Sequence, residues 1–221
     1  MFAYRLKLAY NYNKYILYRG EKMYRKSKET RKIAWEILRK HYWGVFAFTI
    51  IAILISGANI VGLILGGPIL VGAAYMMLRT LREDNSSNLE YLFKEFDDFG
   101  RTLGVHLLSM IKIFLWSLLF VIPGIVRSYS LSQVYFITKE NPDLSVTEIQ
   151  QRSTEMMRGH KFRLFKLHFS FIGWFILCIL TLGIGFIFLH PYVKTAEGVF
   201  YEELINQNPQ YKKNPDMEIF E

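Results

Sequence analysis

The stretch TLGIGFIFLHPYVKTAEGVFYEEL, residues 181–204, decides how the chain is read. It begins as apolar as a membrane span, breaks at Gly183-Ile184-Gly185 and meets a proline at Pro191. Beyond the proline, Lys194 and Glu197 stand among Tyr192, Val193, Ala196 and Phe200. Either this is one span with a ragged end, or a turn opens a second helix that carries charge into the bilayer. The rest of the sequence favours the turn.

Two long stretches contain no Asp, Glu, Lys or Arg: residues 41–78 and residues 167–193. A bilayer core of ~30 Å needs ~20 apolar helical residues, so the first stretch has room for two spans joined by a turn. Hydrophobic residues make up 52% of the 221-residue chain and aromatics 16%, which excludes an ordinary solvated surface. The net charge of +8 is concentrated at the start: residues 1–40 hold 12 Lys/Arg against Glu21, Glu29 and Glu36. That basic, Tyr-rich arm leads straight into apolar sequence and carries no nucleic-acid motif. Anionic lipid headgroups are its expected partner, because juxtamembrane Lys/Arg gain about 1 kcal/mol each there. A solvated basic tail obeying the positive-inside rule reads equally well. No signal peptide is visible. Cys178, in an apolar run, is expected to face lipid or core.

Comparison of the chain with itself gives a threefold pattern. GGPILVGAAYMML, VIPGIVRSYSLSQVYFI and LHPYVKTAEGVFYEEL each place a proline (Pro68, Pro123, Pro191) after an apolar run, then small residues, then an aromatic. Proline suits a first helical turn, and small residues let helices approach closely in lipid. Before the second and third units, Ser87-Asn-Leu-Glu90 and Ser145-Val-Thr-Glu148 fit the Ser-x-x-Glu capping box. Before the first, Ser27 precedes Ile33, Ala34, Trp35, Ile37 and Leu38 at helical spacing.

The expectation is an all-α membrane protein: six transmembrane helices as three helical hairpins, each preceded by an amphipathic interfacial helix. Its parts are a basic arm at 1–27, a membrane domain at 28–205 with repeats near 28–82, 87–138 and 145–205, and a tail at 206–221. The tips near 57–67, 122–125 and 183–190 lack Lys and Arg, whereas the opposite loops are rich in both. The positive-inside rule then puts both termini on the cytoplasmic side of the cell membrane.

The stretch MMRGHKFRLFKLHFSFIGWFILCILTLGIGFIFLHPYVKTAEGVFYEEL, residues 156–204, resembles the C-terminal signature of a bacterial family of integral membrane proteins, domain-of-unknown-function 975. GGPILVGAAYMML, LWSLLFVIPGIVRSYSLSQVYFI and ENPDLS resemble its earlier segments in the same order. The resemblance implies a multi-span prokaryotic membrane protein. It implies no activity, and no site residue is transferred from it.

Ionisable groups at membrane depth are functional candidates by default. Lys112 falls near the middle of an expected span at 103–122, Arg127 one turn past Pro123, and Lys194 and Glu197 past Pro191. Three residues apart, Lys194 and Glu197 share a helix face. Lined around one axis, these four would form a polar interior for an anionic small molecule or lipid headgroup. Alternatively, Arg127 and Lys194 snorkel to an interface and Glu197 pairs with one of them. His106, His168 and His190 are weaker candidates, read first as satisfied or interfacial groups.

No Gly-x-Ser-x-Gly, His-Glu-x-x-His, phosphate-binding loop, paired intramembrane carboxylates or metal-ligand spacing occurs, so neither catalysis, cofactor nor metal is expected. Asp97-Asp98 reads as a solvated face. Two functions stay open. One is a non-enzymatic accessory or protective factor that binds lipids, peptides, other membrane proteins or its own copies. The other is a transporter-like protein for a small anionic or amphiphilic substrate.

Overall fold

A computed structural model describes residues 26–56, 60–83, 89–181, 185–208 and 211, and all regular structure among them is helical. The basic arm up to residue 25, Ser87 of the second expected capping box, Gly183 and most of the C-terminal tail lie outside the described residues.

The chain begins with α1 (Ser27–Lys40) and bends by 100° at His41 into α2 (Tyr42–Ser56). Next come α3 (Ile60–Glu83), the single turn α4 (Glu90–Phe93) and a 3₁₀ turn at Lys94–Phe96. Helices α5 (Phe99–Leu119), α6 (Val121–Ser130) and α7 (Val134–Glu140) follow, then α8 (Val146–Met156). The chain closes with α9 (Lys161–Phe169), α10 (Ile172–Leu180) and α11 (Gly185–Gln207).

Helices pair at the three expected places, α2 with α3, α5 with α6, and α10 with α11. Two of them form the centre. Helix α3 packs on α2, α4, α5, α7 and α11, and α11 packs on α1, α2, α3 and α10. Small residues make these approaches possible. A Cβ on Gly198 would lie 2.7 Å from Met77 Cγ, and one on Gly124 would lie 2.8 Å from Ser117 Cα. Such contacts fix how closely these helices approach.

Six spans are not formed. Among the described residues, three segments are long and apolar enough to cross a membrane, Gly62–Arg82, Phe99–Leu118 and Lys161–Leu180, with a fourth only if the bent α1–α2 pair counts as one. The partners of these segments fail for physical reasons. Helix α2 has 15 residues, about 22 Å at 1.5 Å per residue, short of a ~30 Å core. Helix α6 stops after 10 residues, at the Leu131–Gln133 turn. Helix α11 is long, but it carries Lys194, Glu197, Glu202 and Glu203 and buries most of its second half inside the protein.

The three prolines do not share one position. Pro123 is in the first turn of α6, but Pro68 and Pro191 lie inside α3 and α11. Each removes the N–H that would bond the carbonyl four residues back, at Ile64 and Ile187, a loss that membrane helices tolerate when neighbours compensate.

Of the amphipathic helices, α1 is as expected in sequence but covers protein. Thr30, Ala34, Ile37 and Leu38 are buried, and the helix packs on α9 and α11. Arg31 Nη1 donates to the Ser170 carbonyl at 2.7 Å, and Tyr192 donates to the Arg31 carbonyl at 2.9 Å. The second amphipathic helix shrinks to α4 and the 3₁₀ turn, because Glu95 turns inward to pair with Lys139 Nζ at 2.5 Å. Asp97 and Asp98 are exposed, as expected.

The third amphipathic helix, α8, starts at the expected capping box. The Glu148 amide donates to Ser145 Oγ at 3.4 Å, and the Ser145 amide donates to Glu148 Oε2 at 2.8 Å. The Ser145 hydroxyl also donates to Glu148 Oε2 at 2.6 Å, and this bond, with that of the Ser145 amide, holds the Glu148 carboxyl below the usual carboxylate range. Its contribution is therefore present above the ordinary glutamate pKa and disappears as pH falls through the lowered value. Ser145→Ala is expected to cost about 1 kcal/mol. In thermal melts of the purified protein, the difference from the parent should shrink below pH 4. A constant difference would refute the reciprocal cap.

Candidate functional site

The polar candidates separate into two constellations that meet at α6. The first joins α5, α6 and α8. Lys112 Nζ donates to Gln150 Oε1, and Gln150 Nε2 donates to Ser109 Oγ at 2.9 Å. Ser153 Oγ, on the same buried face of α8, donates to the Ser130 carbonyl at 2.8 Å. Arg127 lies on α6, which packs against the α5 that carries Lys112. Arg127 Nε is shielded from solvent and has no partner among the described residues. Two cations thus share a site built otherwise from neutral groups.

Its position also changes the reading of Lys112. The opposite face of α8 shows Thr147, Glu148, Gln151 and Glu155 to solvent. Lys112, within the candidate span Phe99–Leu118, is thus bonded to a helix whose far face is polar and exposed.

The second constellation joins α6, α9 and α11. The Tyr129 hydroxyl lies 3.3 Å from His168 Nδ1, and His168 Nε2 lies 3.1 Å from Glu197 Oε1. Lys194 Nζ donates to Glu197 Oε2 at 2.8 Å. The expected Lys194–Glu197 face is therefore present, and Glu197 is its carboxylate. His168 was ranked below these residues, yet it connects both helices through its two ring nitrogens. His106 Nδ1 lies 2.9 Å from the Tyr135 hydroxyl. His106 Nε2 and His190 Nδ1 are buried without a partner among the described residues.

A third polar group escaped the sequence. Arg82, at the end of α3, reaches Glu140 Oε1 at 2.5 Å and Glu202 Oε1 at 2.7 Å. Tyr201 donates to Glu140 Oε2 at 2.5 Å and stacks on Phe136. Arg163 pairs with Glu203 and lies over the Phe200 ring. The signal was present in Glu202-Glu203, two acids on a helix that otherwise shows Val199, Phe200 and Leu204. Paired carboxylates there need buried cations, and the distant Arg82 and Arg163 supply them.

Residues 118–208, which run from the end of α5 through α11, match the model of the family described as "Protein of unknown function (DUF975)". Over this stretch the chain is similar to that family. No curated protein and no solved structure matches it. The DUF975 segment contains the whole second constellation, together with Arg127, Gln150 and Ser153 of the first. Lys112 and Ser109 precede it. Cys178, expected to face lipid or core, is buried, and a Cβ on Gly185 would lie 2.8 Å from its Sγ.

Proposed function

We propose that this protein is a non-enzymatic membrane factor of the cell membrane that binds lipids and other membrane proteins through its apolar helix pairs. The observation that carries this reading is the contrast between its two ends. At the tips, Phe114, Leu115, Leu118 and Ile122 are exposed on the α5–α6 pair, and Ile176, Leu177, Ile179 and Leu180 on α10. The other end gathers Arg82, Arg163, Lys139 and their carboxylates. Exposed apolar patches of this extent mark contact with lipid or protein. The Lys/Arg-rich end is cytoplasmic in this reading, together with both termini.

Transport is disfavoured because the polar candidates lie in two places rather than around one lumen. Both central helices are also packed by side chains such as Ile69, Met76, Val199 and Phe200.

Membranes washed with alkaline carbonate should retain the full-length protein, and liposomes loaded with it should pass no more small organic anion than empty ones. With Cys178→Ser as background, Arg158→Cys should react with an impermeant maleimide only after the cells are opened. Release by carbonate would refute the membrane reading. Flux above control would support the transporter instead, and labelling of intact cells would reverse the orientation.

A further inference from the structure

The cations of this protein are matched to carboxylates at several points across the fold. Arg82 meets Glu140 and Glu202, Lys139 meets Glu95, Arg163 meets Glu203, and Lys194 meets Glu197. Lys112 and Arg127 break that pattern. They lie on α5 and α6, which pack against each other, and neither has a carboxylate partner among the described residues. Charges held in apolar surroundings are costly unless they pair, and two of one sign cost more than one.

The hydrogen-bond inventory specifies the missing partner. An ammonium has three donors, and Lys112 uses one on Gln150. A guanidinium has five, and the shielded Arg127 Nε has no acceptor. Gln150 cannot neutralise the pair, because it is uncharged and its amide is already committed to Ser109. What fits is an anion with several acceptor oxygens, small enough to sit between two helices. A phosphate matches both the fork of arginine and the point charge of lysine.

The surroundings identify its source. Ile111, Phe114 and Leu115 on α5 are exposed, as are Ile122, Ile125 and Val126 on α6. A free phosphate has no use for such a surface, whereas acyl chains do. Lys112 is bonded to α8, whose far face is polar and exposed, so polar and apolar surfaces adjoin at this site, as they do at lipid phosphates. Basic pockets between transmembrane helices bind acidic headgroups in this manner.

We propose that Lys112 and Arg127 hold the phosphate of an anionic phospholipid, whose acyl chains lie along the exposed apolar faces of α5 and α6. Gln150 of α8 orients Lys112 for this contact. The proposal rests on the membrane reading above, which the carbonate wash tests independently on the same variants.

The test is native mass spectrometry of the full chain, delipidated in detergent and then titrated with phosphatidylglycerol or phosphatidylcholine. The parent protein should keep one phosphatidylglycerol at least tenfold more tightly than phosphatidylcholine. The double variant Lys112→Gln/Arg127→Gln should lose that preference, and Arg127→Lys, which keeps charge but loses the fork, should weaken it severalfold. Arg158→Gln, an exposed cation outside the site, should match the parent. Equal lipid retention by parent and double variant would overturn the proposal. So would displacement of the lipid by millimolar inorganic phosphate, which would make this a free-phosphate site.

Discussion

Arg82→Leu is expected to lower the unfolding free energy by about 3–5 kcal/mol, because it leaves two buried carboxylates without their shared cation. Glu140 and Glu202 have side chains only 8% exposed, so water replaces little of what the guanidinium supplies. Tyr201 keeps its bond to Glu140, but one hydroxyl does not neutralise two charges. The loss is therefore electrostatic, and it has a signature. Adding Glu140→Gln and Glu202→Gln to Arg82→Leu should restore most of the stability, since replacing a whole buried ionic group is often nearly neutral. Denaturant titration of the purified protein, followed by helical circular dichroism, measures all the variants. A single Arg82→Leu variant within 0.5 kcal/mol (roughly the spread of ordinary surface changes) would show that this network does not hold α3, α7 and α11 together.

Gly72→Ala should come next in effect, although it adds a single methyl group. Its Cβ would lie 2.2 Å from the Leu92 carbonyl oxygen and 2.8 Å from the carbon of that carbonyl. These are backbone atoms, so no rotamer relieves the clash, and α3 must part from α4. Leu92 is fully buried, and the neighbouring Glu95–Lys139 pair depends on the same approach. Overpacking of this kind costs about 1–3 kcal/mol or more. Gly173→Ala is the control, with nothing within 4 Å of its added Cβ. Gly173 lies in the first turn of α10, so this variant should stay within about 0.5 kcal/mol of the parent. Thermal melts that rank the two variants equally would refute the close α3–α4 contact.

Local patterns were legible in the sequence and long-range ones were not. The Ser145–Glu148 box, the buried stripe of α1, the three helix pairs and the Lys194–Glu197 face all follow from spacings of a few residues. The number of spans does not. Hydropathy counts apolar residues without knowing which faces protein covers, and α11 gives its apolar residues to α1, α2 and α3. The end of α6 at Ser130 was equally hidden, because no glycine or proline marks the Leu131–Gln133 turn in VIPGIVRSYSLSQVYFI. Arg82 and Glu202 stand 120 residues apart, and no local pattern connects them. Lys112 and Arg127 were singled out for depth in the membrane, yet their significance lies in sharing a site without a carboxylate. That required knowing which helices are neighbours.

The separation of Arg82 from Glu202 also orders the birth of the molecule. In the membrane reading, the three tips carry no Lys or Arg, so each pair can enter the bilayer without dragging a cation through it. Arg82 can meet Glu140 first, but its second carboxylate, Glu202, lies 120 residues behind it, roughly 6–24 s at ordinary rates of synthesis. The ionic network is a latch that closes last, when the final helix arrives.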